Sequence, residues 1–291
     1  MSYIWYQKGK ELLKEIEDFQ FPEIAAGIWY IGQMGTILRW NGKTICVDPV
    51  LGSMCDADGT DRRNYPIPFA PEECCVDYVF CTHDHADHMH TETLVRMTAA
   101  HPELKIFLPE PVVRTAVEAG IPEKQITGVS QQQVLSLGRD LSVRPVATAH
   151  ESYRFDGNGN SETLGYVFRL GTLKIFHAGD TVVTDGLIHD LCEEQGLDAA
   201  LLPINGRDIR RNAEGIIGNM DSREAGWFGE AIGADLLIPM HFDMIGGNEE
   251  NPLVFADYME RYYPGRRYHI LRLGEGFILN KKKKGGSFSA D

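Results

Sequence analysis

The first fifty residues change from a helical to a strand-like spacing of apolar positions. Leu12, Ile16 and Phe19 are apolar with charged residues between them, which is the spacing of an amphipathic helix, and Pro22 follows. We therefore predict a helix over residues 7–19. This helix is expected to pack either on its own domain or on a second copy of the chain.

Strand patterns follow the helix. Apolar and β-branched residues cover positions 28–31, 36–40 and 43–48, and Asn41-Gly42 separates the last two runs. An Asn-Gly pair between two such runs is the strongest short-range signal of a β-hairpin, because both residues tolerate positive φ. The domain is therefore expected to begin as an antiparallel sheet.

The rest of the chain alternates strand-like and helix-like segments. We predict strands over residues 76–80, 105–108, 141–149, 166–170, 173–176, 199–204, 236–240, 268–271 and 276–279. Helices are predicted over residues 91–100, 111–119, 186–194, 221–233 and 253–262. The pattern of strands followed by helices occurs twice along the chain. It indicates an α/β (α+β) fold, namely an αββα sandwich of two mixed β-sheets with helices on both outer faces.

One long connection interrupts this pattern at residues 51–71, which are rich in Gly, Asp, Asn and Pro. Long loops in compact domains are usually functional or disordered. Whether this loop closes over a site as a lid is left open by the sequence. Arg62 and its neighbours in the loop are candidates for such a contact.

The charge and the cysteines narrow the class of protein. The 291 residues carry a formal net charge of −14, which disfavours binding to nucleic acid or to anionic membrane surfaces. No apolar run approaches the roughly 20 residues of a membrane span. The six cysteines form no C-x-x-C pair, so reduced thiols are expected. We predict a cytoplasmic protein with a small anionic substrate and no nucleic-acid or membrane partner.

The densest cluster of reactive side chains is the run His83-Asp84-His85-Ala86-Asp87-His88, which follows a predicted strand. Imidazole is the commonest protein ligand for metals, and carboxylates complete the ligand sets of Zn and Mn. A solvated polar loop would explain a single His-x-His pair. The full pattern of three imidazoles and two carboxylates favours a metal site.

Four further candidates, Asp48, His150, Asp180 and His241, each follow a predicted strand. Taken singly, Asp48 before a proline is a turn former and Asp180 fits a helix cap. His150 or His241 alone fits a bonded core position. Their shared placement after strands favours one site, because α/β folds gather ligands at one edge of the sheet.

A family resemblance follows from these positions. This chain resembles the metallo-β-lactamase superfamily in the order of its motif residues: Asp48, His83-x-His85-x-Asp87-His88, His150, Asp180, His241. The resemblance implies an αββα sandwich with a dinuclear metal site. It implies one ion on His83, His85 and His150, a second on Asp87, His88 and His241, Asp180 as the bridge, and Asp48 orienting the ligands.

The apolar spacing and the composition predict a helical extension over residues 1–26, a metallo-hydrolase domain over 27–280 and a disordered tail over 281–291. The resemblance also implies what the domain does. Two divalent ions, Mn or Zn with Fe as a third candidate, would hold a bridging hydroxide that opens a small lactone or ester. Asp87 or Asp180 would accept the proton, and both alternatives stay open. A homo-oligomer is expected.

Within the superfamily the chain looks most similar to the bacterial ascorbate-6-phosphate lactonase (UlaG-like) group. The stretches that carry this likeness are residues 82–88, 179–180, 206–207 and 238–243, together with the amphipathic N-terminal segment. The implied reaction is the opening of a phosphorylated sugar-acid lactone such as L-ascorbate 6-phosphate. A phosphodiesterase of the same fold and a metal-bearing, non-catalytic binding protein remain alternatives.

Three arginines follow the predicted strand at residues 199–204. Arg207, Arg210 and Arg211 lie within five residues of an otherwise acidic chain. Guanidinium groups bind phosphate oxygens in bidentate fashion, so these residues are candidates for substrate binding. A solvated loop with acidic neighbours such as Asp208 is the equally weighted alternative.

Overall fold

Two β-sheets stack face to face in the computed structural model, and helices cover both outer faces. The model describes residues 3–20, 22–131 and 133–281. Within these residues each sheet has seven strands. This arrangement confirms the αββα sandwich predicted from the alternation of strands and helices.

The first sheet begins as an antiparallel meander and continues as parallel strands. Its order is β14-β1-β2-β3-β4-β5-β6, antiparallel from β14 to β3 and parallel from β3 to β6. The strands are β1 Ala25–Gly32, β2 Gly35–Trp40, β3 Lys43–Val47, β4 Tyr78–Phe80, β5 Lys105–Pro109, β6 Ile126–Val129 and β14 Gly276–Asn280.

The second sheet likewise combines antiparallel strands, which come first in the chain, with parallel strands that follow them. Its order is β13-β12-β11-β10-β9-β8-β7, parallel from β13 to β10 and antiparallel from β10 to β7. The strands are β7 Leu135–Gly138, β8 Leu141–Ala147, β9 Leu164–Leu170, β10 Leu173–His177, β11 Ala199–Pro203, β12 Leu236–Met240 and β13 Arg267–Tyr268.

The helices lie between the strands in sequence and outside the sheets in space. Their bounds are α1 Gly9–Asp18, α2 Thr91–Ala100, α3 Val113–Glu118, α4 Asp185–Cys192, α5 Ile209–Ala213, α6 Ser222–Ala231 and α7 Pro252–Tyr262. Asp221 caps α6 in a capping box with Glu224, as its sequence signature predicts. Within the described residues no helix is both long and apolar enough to cross a membrane.

The core between the sheets is built from aromatic and aliphatic side chains. Phe80 of β4 packs edge to face against Tyr166 and Phe168 of β9, at ring-centroid distances of 5.0 and 5.3 Å. All three are fully buried. Aromatic pairs in this geometry add to the stabilisation from area burial alone. This contact fixes the position of β4 and therefore of the loop that follows it.

The N-terminal helix packs on the outer face of the first sheet. Leu12 and Ile16 of α1 are buried in the same apolar cluster as Trp29 of β1. The Trp29 indole donates a hydrogen bond of 2.9 Å to Glu15. The helix thus uses its apolar face within its own chain. The predicted division at residues 26 and 280 stays a prediction, and residues 282–291 of the predicted tail lie outside the described residues.

Several elements differ from the sequence prediction. Strands β6 and β7 were not expected, because each is an edge strand of only four residues, too short for a clear pattern. Helix α5 has five residues, too few for a periodic pattern. The strand predicted over residues 268–271 is wrong in its bounds, since β13 ends at Tyr268.

The strand directions bring the candidate residues to one edge of the sandwich. Strands β3 and β4 are parallel, and β1 runs the same way because two antiparallel pairings separate it from β3. In the second sheet β8, β10 and β12 share a direction by the same reasoning. The carboxyl ends of these strands carry the segments that form the site described next.

Candidate metal centre

The His-rich run forms a tight turned loop directly after β4. The amides of His88 and Met89 both donate to the carbonyl of His85, at 2.9 and 2.8 Å. This turn brings side chains that alternate in sequence to the same side of the loop. The loop is anchored at its start, because Thr82 donates to Asp48 through both its amide and its hydroxyl, each at 2.8 Å.

One group of possible ligands contains three imidazoles. Ligand nitrogens of His83, His85 and His150 all lie within 4.8 Å of one another. His150 reaches the group because the segment after β8 is tied to the segment after β10. The amide of Ala149 donates to the hydroxyl of Thr181 at 3.1 Å. The three nitrogens are spaced to share one ion.

A second group contains one carboxylate and two imidazoles, from Asp87, His88 and His241. The Nε2 atom of His241 lies 3.3 Å from Asp87 Oδ2 and 3.4 Å from His88 Nε2. His88 and His241 are buried, whereas 20% of the Asp87 side chain is exposed. Donor atoms of this kind suit Zn, Mn or Fe.

Asp180 lies between the two groups, and its two oxygens face different histidines. Oδ2 is 3.6 Å from His150 Nε2, in the first group. Oδ1 is 3.2 Å from His88 Nε2 and 3.3 Å from His241 Nε2, in the second. The close approach of β10 to the loop depends on Gly179, where a Cβ would lie 2.7 Å from Thr82.

Unpaired buried atoms show that these residues fit a cation. His83 Nε2 is buried without a hydrogen-bond partner, and Asp180 Oδ1 has only two imidazole nitrogens near it, at 3.2 and 3.3 Å, with a hydrogen bond to neither. Such atoms are costly in a protein interior unless a partner satisfies them. An all-nitrogen and oxygen donor set with unmet lone pairs is what divalent metals bind. The fit is with metal ions rather than with an anionic cofactor.

The electrostatics of the centre come from burial and from close opposite charges. Burial lowers the pKa of His150 to about 4. Burial also opposes the charge on His241, but Asp180 and Asp87 outweigh it and raise the pKa of His241 to about 9. Burial would raise the pKa of Asp180, and the charges of His241 and His88 instead hold that pKa well below its usual range.

Asp48 and His177 lie behind the ligand groups. Asp48 is fully buried, and its Oδ2 lies 2.8 Å from His88 Nδ1. That contact leaves His88 Nε2 facing Asp180 and so fixes the ring's orientation. His177 is buried, and its Nε2 lies 2.9 Å from the carbonyl of Met34. Asp48 therefore contacts a candidate ligand, while His177 supports the turn between β1 and β2.

One residue at the centre was missed by sequence reasoning. Gln33, in the turn after β1, places its side-chain nitrogen 2.7 Å from Asp87 Oδ2 and 3.0 Å from His241 Nε2. The available signal was an amide side chain in the otherwise apolar stretch Tyr30-Ile31-Gly32-Gln33-Met34. A single Gln is too common in turns to be singled out without the fold.

A pocket of about 310 Å³ opens onto the candidate ligands. His85, His150 and His241 line its floor with the two aspartates of the centre. The walls come from the loop at residues 51–71 and from two later loops, and include Met54, Cys55, Asp56, Arg62, Gly215, Ile216, Ile217, Ile245 and Asn248. The long loop therefore forms part of the pocket wall.

The arginines predicted to bind substrate lie elsewhere in the described structure. Arg207 forms a two-pronged contact with Glu224, at 2.6 and 2.7 Å. Arg211 is held by Asp208 and by the carbonyl of Asn205. Neither these two nor Arg210, which is exposed on α5, is among the residues that line the pocket. Their role in substrate binding stays a prediction, and the guanidinium on the wall is that of Arg62.

Comparison with known proteins agrees with this geometry. A family model described as the β-lactamase superfamily domain matches residues 43–242, which include every candidate ligand. The chain belongs to the metallo-β-lactamase superfamily. The match ends at residue 242, directly after the last candidate ligand of the centre, His241.

Relatives of this superfamily cover most of the chain. A UPF0173 metal-dependent hydrolase from Caldivirga maquilingensis is 25% identical over 254 residues, which is 86% of this chain and 96% of the relative. A metallo hydrolase from Ignicoccus hospitalis superposes with a TM-score of 0.65 at 18% identity, covering 89% of this chain and 100% of the other. Isothiocyanate hydrolase from Delia radicum gut bacteria gives 0.66 at 16% identity, covering 86% and 98%. The chain is thus similar over most of its length to metal-dependent hydrolases of this fold.

Proposed function

We propose that the protein holds two divalent ions and hydrolyses the lactone or ester bond of a small anionic substrate. The observation that carries this proposal is the position of Asp180, whose two carboxylate oxygens face histidines of both groups and which itself forms an overlapping group with His83 and His88. A carboxylate so placed can bridge two cations. A site for one ion would need only one of the two groups.

The residues divide the work between binding and proton transfer. His83, His85 and His150 would hold the first ion, and the group of Asp87, His88 and His241 would hold the second. Two ions in such a site supply an activated water and polarise the oxygen of the bond to be cleaved. Asp87 and Asp180 are both candidates to accept the proton that this water loses. We assign it to Asp87, whose side chain is 20% exposed against 4% for Asp180.

The residues of the pocket wall favour a substrate that is a small anion with an apolar part. Arg62, which is paired with Asp56 of the same wall at 3.1 Å, supplies the guanidinium, and Ile216, Ile217 and Ile245 supply apolar surface. Guanidinium groups bind carboxylates and phosphates through paired hydrogen bonds. A pocket of about 310 Å³ holds a small molecule rather than a polymer. A phosphorylated sugar-acid lactone, as in the lactonase group, remains our leading candidate, with Mn or Zn as the metal.

The proposal is tested by removing and restoring the metal. Protein stripped with a chelator is reconstituted with Mn²⁺, Zn²⁺ or Fe²⁺ and assayed on phosphorylated lactones, unphosphorylated lactones, carboxylic esters and phosphodiesters. We expect turnover of a lactone or ester that is lost on chelation and restored by one of the ions. The variant His83→Ala should abolish it, while His101→Ala should not, because the His101 side chain contacts the Glu72 carbonyl away from the centre.

Two other results would contradict the proposal. Turnover confined to phosphodiesters would identify a phosphodiesterase of the same fold. Stoichiometric metal binding with no turnover on the panel would identify a metal-bearing binding protein.

A further inference from the structure

Gln33 occupies a position that only a structure could reveal. Its side chain is 1% exposed, and its amide nitrogen lies 2.7 Å from Asp87 Oδ2 and 3.0 Å from His241 Nε2. Both partners belong to the second candidate ligand group. A primary amide has N–H donors, and one of them is directed at Asp87 Oδ2, while His241 Nε2, which would hold the second ion, lies against the amide as a close neighbour.

The orientation of the amide follows from chemistry. If the carbonyl oxygen faced Asp87, two acceptors would lie 2.7 Å apart without a proton between them. The nitrogen therefore faces Asp87. A hydrogen bond from a neutral donor to a carboxylate is stronger than one between two neutral groups, so this contact directs the Asp87 side chain.

The backbone holds Gln33 in place in an uncommon conformation. Gln33 and His241 both have φ of +59°, which is uncommon for residues with a Cβ. The amide of His241 donates to the Gln33 carbonyl at 2.9 Å. The amide of Gln33 in turn donates to the buried carboxylate of Asp243 at 3.2 Å. Main-chain bonds on both sides thus fix where the side chain begins.

We propose that Gln33 is a positioning residue for the second ion. By donating to Asp87 and lying against His241, its amide sets the separation of two ligands that come from different sheets. This proposal rests on the proposed function, in that it assumes a second ion bound by Asp87, His88 and His241. It concerns the affinity for that ion, and Gln33 itself need not contact the substrate.

The test measures ion binding rather than activity. Metal-free wild type, Gln33→Met and Gln33→Gly are titrated with Zn²⁺ by calorimetry and with Co²⁺ by visible absorption. Gln33→Met keeps the length of the side chain without its donors. Gln33→Gly removes the side chain and suits the positive φ, so it is expected to fold even if Gln33→Met does not. Both variants should bind the second equivalent about 10- to 100-fold more weakly and the first equivalent unchanged.

A matched control is available in the same chain. Gln125 is also buried, at 5% exposure, and donates to the carbonyls of His101 and Leu104, away from the candidate ligands. Gln125→Met should lower thermal stability and leave both binding steps unchanged. A structural role alone for Gln33 would give the same pattern as this control.

The possible outcomes separate this inference from the proposed function. If wild type binds two ions and both Gln33 variants bind the second with wild-type or higher affinity, the positioning role is wrong. If wild type itself binds a single ion, the dinuclear centre is wrong and the role of Gln33 falls with it. A selective loss of the second step in both variants supports the inference.

Discussion

Asp48 and His88 are joined by a contact of 2.8 Å between Oδ2 and Nδ1, with both side chains fully buried. The two residues come from neighbouring parallel strands, because Asp48 follows β3 and His88 lies in the loop after β4. The carboxylate also accepts two hydrogen bonds from Thr82. One aspartate therefore fixes both the start of the ligand loop and the ring of a candidate ligand.

The first prediction concerns this aspartate. Asp48→Asn should weaken the binding of the second ion by about 10- to 100-fold, because an amide no longer holds the His88 ring with a full negative charge. Calorimetric titration of the metal-free variant measures the effect. Asp77→Asn is the control, since Asp77 also accepts a backbone bond, from Thr44, but lies away from the centre. Equal ion affinity in Asp48→Asn and wild type would exclude this role.

The second prediction concerns the bridge. Asp180→Asn should reduce kcat by about 10²- to 10⁴-fold, because it removes a charge that faces both ligand groups. The fold should remain intact, as judged by circular dichroism. Asp198→Asn offers a control, because Asp198 is buried at 8% exposure but bonds Lys174 and Lys281 instead. Near-normal turnover in Asp180→Asn would rule out a bridging carboxylate.

The third prediction separates the two candidate anion contacts. Arg62 lines the pocket and pairs with Asp56 of the same wall, whereas Arg207 pairs with Glu224 and is not among the lining residues. Arg62→Ala should raise KM for an anionic substrate by roughly tenfold, or about 1.4 kcal/mol, and leave kcat and KM for an uncharged analogue unchanged. Arg207→Ala should leave KM for both substrates unchanged. A raised KM for the anionic substrate in Arg207→Ala, with an unchanged KM in Arg62→Ala, would instead support the sequence-based prediction that the arginine cluster binds substrate.

The fourth prediction concerns stability at acid pH, away from the centre. Glu194 is 3% exposed and accepts hydrogen bonds from Arg144 and Arg169. Burial would raise the pKa of Glu194, but bonds from Arg169 and the charge of Arg144 outweigh it and lower that pKa. A lowered folded-state pKa stabilises the protein above the ordinary value of 4.5, and that stabilisation is lost as pH falls below it.

Glu194→Gln should therefore reduce the free energy of unfolding at pH 7 by about 2 kcal/mol. The difference from wild type should shrink as pH falls from 5 towards 3. Urea unfolding across this range measures it, with Glu118→Gln as a control, because the Glu118 ion pair with Arg114 is exposed. A difference that is constant with pH would contradict the charge-based explanation.

The alternation of strands and helices was sufficient to predict the sandwich, and the placement of candidate residues after strands predicted that they lie at one edge, whereas their division into two ligand sets came from the family resemblance and stays a prediction. His83 to His88 are close in sequence, so their proximity follows from one tight loop. His150, Asp180 and His241 are far apart in sequence, but each follows a strand, and parallel directions bring those strand ends to one edge. Periodicity and strand direction are enough to derive that convergence.

Other features depend on three-dimensional neighbours that no local pattern encodes. Gln33 became a candidate only when the turn after β1 was seen beside His241, a residue 208 positions away. Arg207 could have faced either the pocket or solvent, and its pairing with Glu224 depends on how the chain leaves α5. The edge strands β6 and β7 pair on one side only, so their sequences are less constrained.

The central claim is that folding gathers seven side chains around two cations. A crystal structure of the metal-reconstituted protein, with anomalous scattering measured at the metal edge, tests it most directly. We predict two peaks, one about 2 Å from nitrogens of His83, His85 and His150 and one equally close to Asp87, His88 and His241, with an Asp180 oxygen on each. A single peak, or peaks that Asp180 does not join, would contradict the account.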